Sequence, residues 1–178
     1  MSRGFARFLL VACLGLTTLC VLLVIQNHAL RARTLPPTAA LASGDRLSPL
    51  TVLDDSGAAR EIRFEGRPRT VLLLFTSDCP ACRETLPLWT DLFSTAPPPP
   101  TRVVGIQLDD RRQGSEAGSA LPFEVYGYER RASGDPLSRI PGVPALVLVD
   151  DRGVVLRSWF GVPGERELEE IRTLSIRG

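Results

Sequence analysis

The 178-residue sequence contains no lysine; all 21 of its basic side chains are arginine. We read that as a compositional habit of the source genome, not as a site. Histidine is almost as scarce, with His28 alone. A structural zinc site takes four nitrogen or sulfur ligands. Beyond residue 28 the chain offers only the thiols of Cys79 and Cys82, so zinc is excluded unless two chains share a site. A marked charge excess is also missing. The net charge is +1, and with four arginines at or before residue 33 the other 17 face 20 acids. No basic stripe results, and nucleic acid is not expected as a partner. There is no glycine-rich phosphate loop and no metal-ligand cluster, so neither cofactor nor metal is expected.

What the chain does have is apolar residues, 44% of the total, enough for a core in one domain of ordinary size. It also has an eighteen-residue run without charge, "FLLVACLGLTTLCVLLVI" at 8–25, preceded by Arg3 and Arg7. A membrane-spanning helix needs roughly 17–25 such residues. A cleaved signal peptide competes, but Ala40-Leu41-Ala42 lies too far downstream for its cleavage site. "LVAC", ending at Cys13, resembles a lipoprotein box, yet the apolar run continues past it. The expected organisation is a cytoplasmic tail at 1–7, a retained anchor at 8–25, a tether at 26–47 and an exported domain at 48–178. Cys13 and Cys20, inside the apolar run, read as small hydrophobic filler. The expected location is a bacterial inner membrane, crossed once, with the domain in the periplasm or outside.

Within that domain, apolar stretches at 50–53 and 61–64 flank "DDSGAAR" and predict a hairpin. "TVLLLF" at 70–75 and "RVVGIQL" at 102–108 read as buried strands. Between them, Leu86, Trp89, Leu92 and Phe93 predict a helix over about 80–93, started by Pro80 and kinked by Pro87. Residues 109–142 are irregular, with a short extended piece in "PFEVYGYE" and a helical turn in "DPLSRI". A second hairpin begins at 145. A final helix begins near 165, with acids at its start and Arg172 and Arg177 at its end. That order predicts an α/β fold, a mixed sheet with helices on both faces.

The pair "CPAC" at 79–82 sits where the first buried strand becomes a helix. A structural disulfide there would close only a two-residue loop and constrain the unfolded chain little. Redox exchange fits better. At a helix start the Cys79 sulfur faces unpaired N–H groups and the positive end of the dipole, the setting that favours thiolate. Cys82, about one turn inside, can then close a disulfide on Cys79 and release a mixed-disulfide partner.

"LLLFTSDCPACRETLP" with "GVPALVLVDDRG" further on resembles the thioredoxin superfamily, specifically its membrane-anchored redoxins of the cytochrome c-maturation kind. "FTSDCPAC" with "LP" most resembles the methylamine-utilisation disulfide proteins. The resemblance implies a thioredoxin-like fold and catalysis by Cys79 and Cys82. It also implies a helix kink at Pro87 and a substrate-facing cis-proline loop at Val143-Pro144. The implied partners are exported cysteine-containing clients and a membrane or extracytoplasmic thiol donor. Asp78 replaces the tryptophan usual before the first cysteine, and with Thr76, Pro80 and Ala81 it is a candidate for tuning. A carboxylate at Asp78 argues for a pair nearer the reducing end of the scale. Leu73 occupies the position of the family's buried aspartate, leaving Glu84 and Glu124 as candidates for proton transfer.

Two other functions compete. Thr76, three residues before Cys79, resembles the peroxiredoxin signature and would make Cys79 peroxidatic, although Leu72 stands where that signature has proline. A tethered binding domain with an inert disulfide is the non-enzymatic reading.

Overall fold

A computed structural model describes residues 3–33, 41–94, 101–109, 121–128 and 136–176. The chain forms two units, Met1–Ala40 and Leu41–Gly178. The first holds α1 (Arg3–Arg33). Leu14, Leu16, Leu19, Leu22 and Leu23 of α1 are all exposed. The span expected at 8–25 includes side chains at 8–11 and 25 that lie outside the described residues. Among the described residues no helix is long and apolar enough to cross a membrane.

The second unit begins earlier than residue 48. Leu41 and Leu47 are buried in its core, and backbone bonds tie Gly44 to Val155 (2.8 Å) and Leu47 to Gly153 (2.8 Å). Asp45 anchors this lead-in through the Ala42 N–H (2.7 Å) and an ion pair with Arg139 (2.8 Å). The expected boundaries at 25/26 and 47/48 differ from those of the described elements. Residues 26–33 continue α1, 41–47 belong to the second unit, and 34–40 lie outside the described residues.

β1 (Leu50–Leu53) and β2 (Ala59–Ile62) form the first hairpin. Its turn is held by Asp54, which accepts from the N–H groups of Ser56 and Ala58, each at 3.0 Å. Then come β3 (Arg69–Phe75), α2 (Pro80–Ser94), β4 (Thr101–Gln107), β5 (Glu124–Gly127), β6 (Ala145–Asp150), β7 (Val155–Phe160) and α3 (Glu165–Ile176). They build one seven-stranded sheet in the order β2-β1-β5-β4-β3-β6-β7. β3, β4 and β5 run parallel; β6 is antiparallel to β3 and β7 to β6. The extended piece expected in "PFEVYGYE" is β5, and its pairing of Gly127 with Leu53 joins the first hairpin to the sheet.

Strand alternation sorts the core into two faces. Leu72, Leu74, Val104, Ile106, Val147 and Val149 point one way. Val71, Leu73, Phe75, Leu146 and Leu148 point the other, against Cys82, Trp89, Leu92 and Phe93 of α2 and Ile171 of α3. The expectation of helices on both faces is therefore corrected among the described residues: α2 and α3 share one face. The opposite face is covered by loop residues, including Leu41, Leu47, Leu137 and Ile140. Sequence periodicity could not reveal this, because isolated apolar residues in loops carry no period.

α3 also differs from expectation at its end. Arg172 pairs with Glu169 (3.6 Å) and no basic residue occupies the last turn; Arg177 lies outside the described residues. The orphan carbonyls of that turn are instead met from the sheet, Leu174 by the Arg69 guanidinium and Ser175 by the Thr101 hydroxyl. At the other end the Glu167 carboxylate caps the Gly164 N–H (2.9 Å).

Gly153, in the β6–β7 turn, is required twice over. Its φ is +75°, and a Cβ there would lie 2.5 Å from the Leu47 carbonyl oxygen. Gly57 has a similar φ of +79° but open space around it. Gly57→Ala should therefore cost about 1–2 kcal/mol, the left-handed penalty alone. Gly153→Ala should cost at least about 1 kcal/mol more, from the added clash. Urea unfolding monitored by the fluorescence of Trp89 and Trp159 measures both; equal costs would mean that the lead-in yields freely.

Candidate active site

The site forms where β3, an interior strand of the sheet, hands the chain to α2. β3 ends at Phe75, residues 76–78 turn, and Cys79 stands immediately before Pro80, the first residue of α2. Pro80 suits that position because a first-turn N–H has no intrahelical partner. The Cys79 carbonyl starts the helix by accepting from Cys82 N–H (3.1 Å) and Arg83 N–H (3.2 Å). Its Sγ also accepts from Cys82 N–H (3.1 Å), so the sulfur acts as the helix N-cap. α2 continues through Pro87 as one element.

The two thiols differ in access. Cys79 is half-buried and Cys82 is wholly buried against the face that carries Trp89; both are free thiols. Burial pushes the Cys82 thiol up to about 12, assisted by its hydrogen bond to Cys79; the Thr76 N–H opposes this but does not outweigh it. The resolving position is therefore held protonated at neutral pH.

The loop before β6 completes the site. The Val143–Pro144 peptide bond is cis, and the Cys79 thiol donates toward the Val143 carbonyl at 3.7 Å. Val143 is half-buried between the two core faces, and Pro144 is buried with its carbonyl accepting from Gly161 N–H (2.8 Å). Cys79, Cys82 and Val143 thus converge from two segments separated in sequence, with Thr76 opening the turn that leads into Cys79. Pro80 is exposed, and Ala81 is half-buried with its carbonyl bound by the Thr85 hydroxyl (2.9 Å).

The carboxylates are arranged otherwise than expected. Asp78 is exposed, as is Glu84 on α2. Glu124 opens β5 beside Val104, three residues short of the strand ends that frame the site, and pairs with Arg102 (3.1 Å). At roughly 3.3 Å per residue that places it about 10 Å back along the sheet. The carboxylate that acts electrostatically on Cys82 is Asp109, just past β4. It accepts from both the N–H (2.8 Å) and the hydroxyl of Ser77. Burial opposes its ionisation, but the hydrogen bonds from Ser77, joined by Gln107, hold its carboxyl below the usual carboxylate range. The sequence carried one usable signal for it: an acid just beyond the C-terminal end of a parallel strand, where sites in such sheets gather. Asp110, the adjacent acid, lies outside the described residues.

No family model and no curated relative matches the chain. Solved structures do. The thioredoxin domain of a thiol-disulfide oxidoreductase from Bacteroides vulgatus superposes with a TM-score of 0.61 at 18% identity, over 76% of this chain and 99% of that one. StoA from Bacillus subtilis superposes at 0.53 and 20%, over 69% and 95%. A peroxiredoxin-like protein from Aquifex aeolicus does so at 0.57 and 15%, over 76% and 88%. At such identities the likeness shows the fold: the second unit is a thioredoxin-like mixed α/β domain.

The asymmetry of the thiols has a direct consequence for labelling. In the reduced native protein at pH 8, iodoacetamide should modify Cys79 at least roughly 100-fold faster than Cys82. Cys82 labelling should rise about tenfold per pH unit up to at least about pH 10, since its thiolate is a small fraction throughout that range. Peptide mapping by mass spectrometry reads both rates; comparable rates at pH 8 would contradict the burial of Cys82.

Proposed function

We propose that this chain is a membrane-anchored thiol–disulfide oxidoreductase that reduces or isomerises disulfides in exported client proteins. One observation carries the reading: a half-buried Cys79 capping a helix, with Cys82 buried and protonated directly behind it. A client disulfide can reach only the first sulfur. Cys79 thiolate attacks one client sulfur, forming a mixed disulfide and releasing the other client sulfur as a thiolate that takes up a proton. Cys82 then attacks the Cys79 sulfur, closing the 79–82 disulfide and freeing the client's second thiol. A thiol donor at the membrane or outside it resets the pair. The Val143 carbonyl, beside Cys79, offers an acceptor to an extended client backbone, as a sheet edge accepts a strand.

The apolar run at 8–25 and the exposed apolar side chains of α1 support a single membrane anchor. On this reading the folded unit lies outside the cytoplasm, in a bacterial periplasm or its equivalent. The likeness of "FTSDCPAC" to methylamine-utilisation and cytochrome c-maturation redoxins supports a role in maturing such clients. A peroxidase is favoured less, since Leu72 stands where the peroxiredoxin signature has proline and the second cysteine, Cys82, lies only three residues from Cys79.

Two measurements test this. With dithiothreitol as donor, the protein should catalyse insulin reduction, and Cys79→Ser should abolish it; Cys82→Ser should accumulate mixed disulfides with clients in cells. Peroxide consumption exceeding insulin reduction would turn the reading to a peroxidase, and absence of both would turn it to a binding domain. For location, alkaline phosphatase fused after Ala40 should be active, and a reporter that works only in the cytoplasm should be silent there. The reverse pattern would remove exported clients from consideration.

A further inference from the structure

Closing the 79–82 disulfide requires Cys82 to shed a proton while buried, and nothing at the family's usual position can take it. Leu73 is there, packed in the apolar face with Val71 and Phe75. Glu84 is exposed, and Glu124 is held by Arg102 further back along the sheet. Asp109 remains.

The backbone brings Asp109 to the cysteine pair through one short turn. Leu108 N–H donates to the Phe75 carbonyl (2.9 Å), which aligns the segments leaving β4 and β3. The turn that leads into Cys79 then holds the carboxylate, its Ser77 N–H donating to Asp109 Oδ2 at 2.8 Å. The Ser77 hydroxyl clamps the same oxygen. The other oxygen, Oδ1, is buried.

We propose that Asp109 is the proton acceptor for Cys82 during resolution of the mixed disulfide, positioned by Ser77. This rests on the oxidoreductase reading. The Cys82 S–H passes its proton to the Asp109 carboxylate, and the Cys82 thiolate attacks the Cys79 sulfur. The 79–82 bond forms as the Cys79–client bond breaks. The electron pair leaves on the client sulfur, which is reduced while the two protein thiols are oxidised, and the carboxyl returns its proton to the departing thiolate or to solvent. The titratable groups that act on Cys82 are Cys79 and Asp109, while Arg83 and Glu84 on α2 are exposed. Asp109 is faced by Ser77 and Gln107, both uncharged, and by Cys82.

The test uses the full chain in detergent, with Cys13 and Cys20 replaced by alanine and an aromatic disulfide, 5,5′-dithiobis(2-nitrobenzoate), as the probe. Attack by Cys79 releases one coloured thiolate, at a rate that depends on probe concentration. Resolution by Cys82 releases a second at a rate that does not. Asp109→Asn should leave the first phase within about twofold and slow the second about 100-fold at pH 7, within the usual range for a lost general base. The slowed phase should climb about tenfold per pH unit, and Asp109→Glu should recover part of the rate. The unsubstituted protein should show a second phase nearly flat from about pH 5 to 8, because its acceptor is already ionised there. A second phase in that protein that tracks hydroxide concentration would overturn the proposal, whether or not Asp109→Asn folds. So would an unchanged second phase in Asp109→Asn. Absence of any second phase in the unsubstituted protein would instead overturn the oxidoreductase reading.

Discussion

The structure depends on the burial of β3 from both sides. Val71 to Phe75 are all at or below 2% exposure, each worth about 1.5–3 kcal/mol relative to an exposed side chain. A slip of one residue would exchange Leu72 and Leu74 with Val71, Leu73 and Phe75, and both faces would lose their fit. Seven register pairs with β4 on one side and six with β6 on the other hold the strand against that slip. The point at which the chain leaves the sheet is thereby set at Phe75, and with it the position of Cys79.

That exit point decides the chemistry. α2 must return over the face bearing Leu73, because Trp89, Leu92 and Phe93 need that surface. A helix laid down in this way puts its first turn at the edge of the sheet. Its N-cap, Cys79, stays within reach of the outside, and the residue one turn on, Cys82, is pressed inward. One packing requirement thus produces an attacking sulfur that a client can meet and a resolving sulfur that it cannot. The same edge gathers Ser77, Asp109 and Val143, since the parallel strands β3 and β4 end there and the β6 loop begins there.

Much of this was legible in local pattern. The uncharged run at 70–75 read as a strand buried on both faces, and "CPAC" shortly after it placed a cysteine at a helix start. The spacing of Trp89, Leu92 and Phe93 identified the helix and its apolar stripe. Val143-Pro144 was legible only through resemblance to other redoxins, because no local rule connects a proline 65 residues away with Cys79. Other features were hidden. Leu41, Leu47, Leu137 and Ile140 lie outside the strands and carry no sheet period, yet they pack on one face of the sheet. Asp78 adjoins Cys79 in sequence but is exposed, whereas Asp109 is 30 residues distant and is the acid that acts on Cys82.

The sequence by itself determined the elements, the strand-to-helix placement of the two cysteines and the absence of a four-ligand zinc set in the second unit. These rest on periodicity, turn chemistry and residue inventory, which act over a few neighbours at a time. Tertiary structure decided which face each loop covers, which carboxylate stands near Cys82 and how unequal the two thiols are. Those depend on desolvation and on distances between segments, and both exist only once β3, β4 and β6 lie side by side.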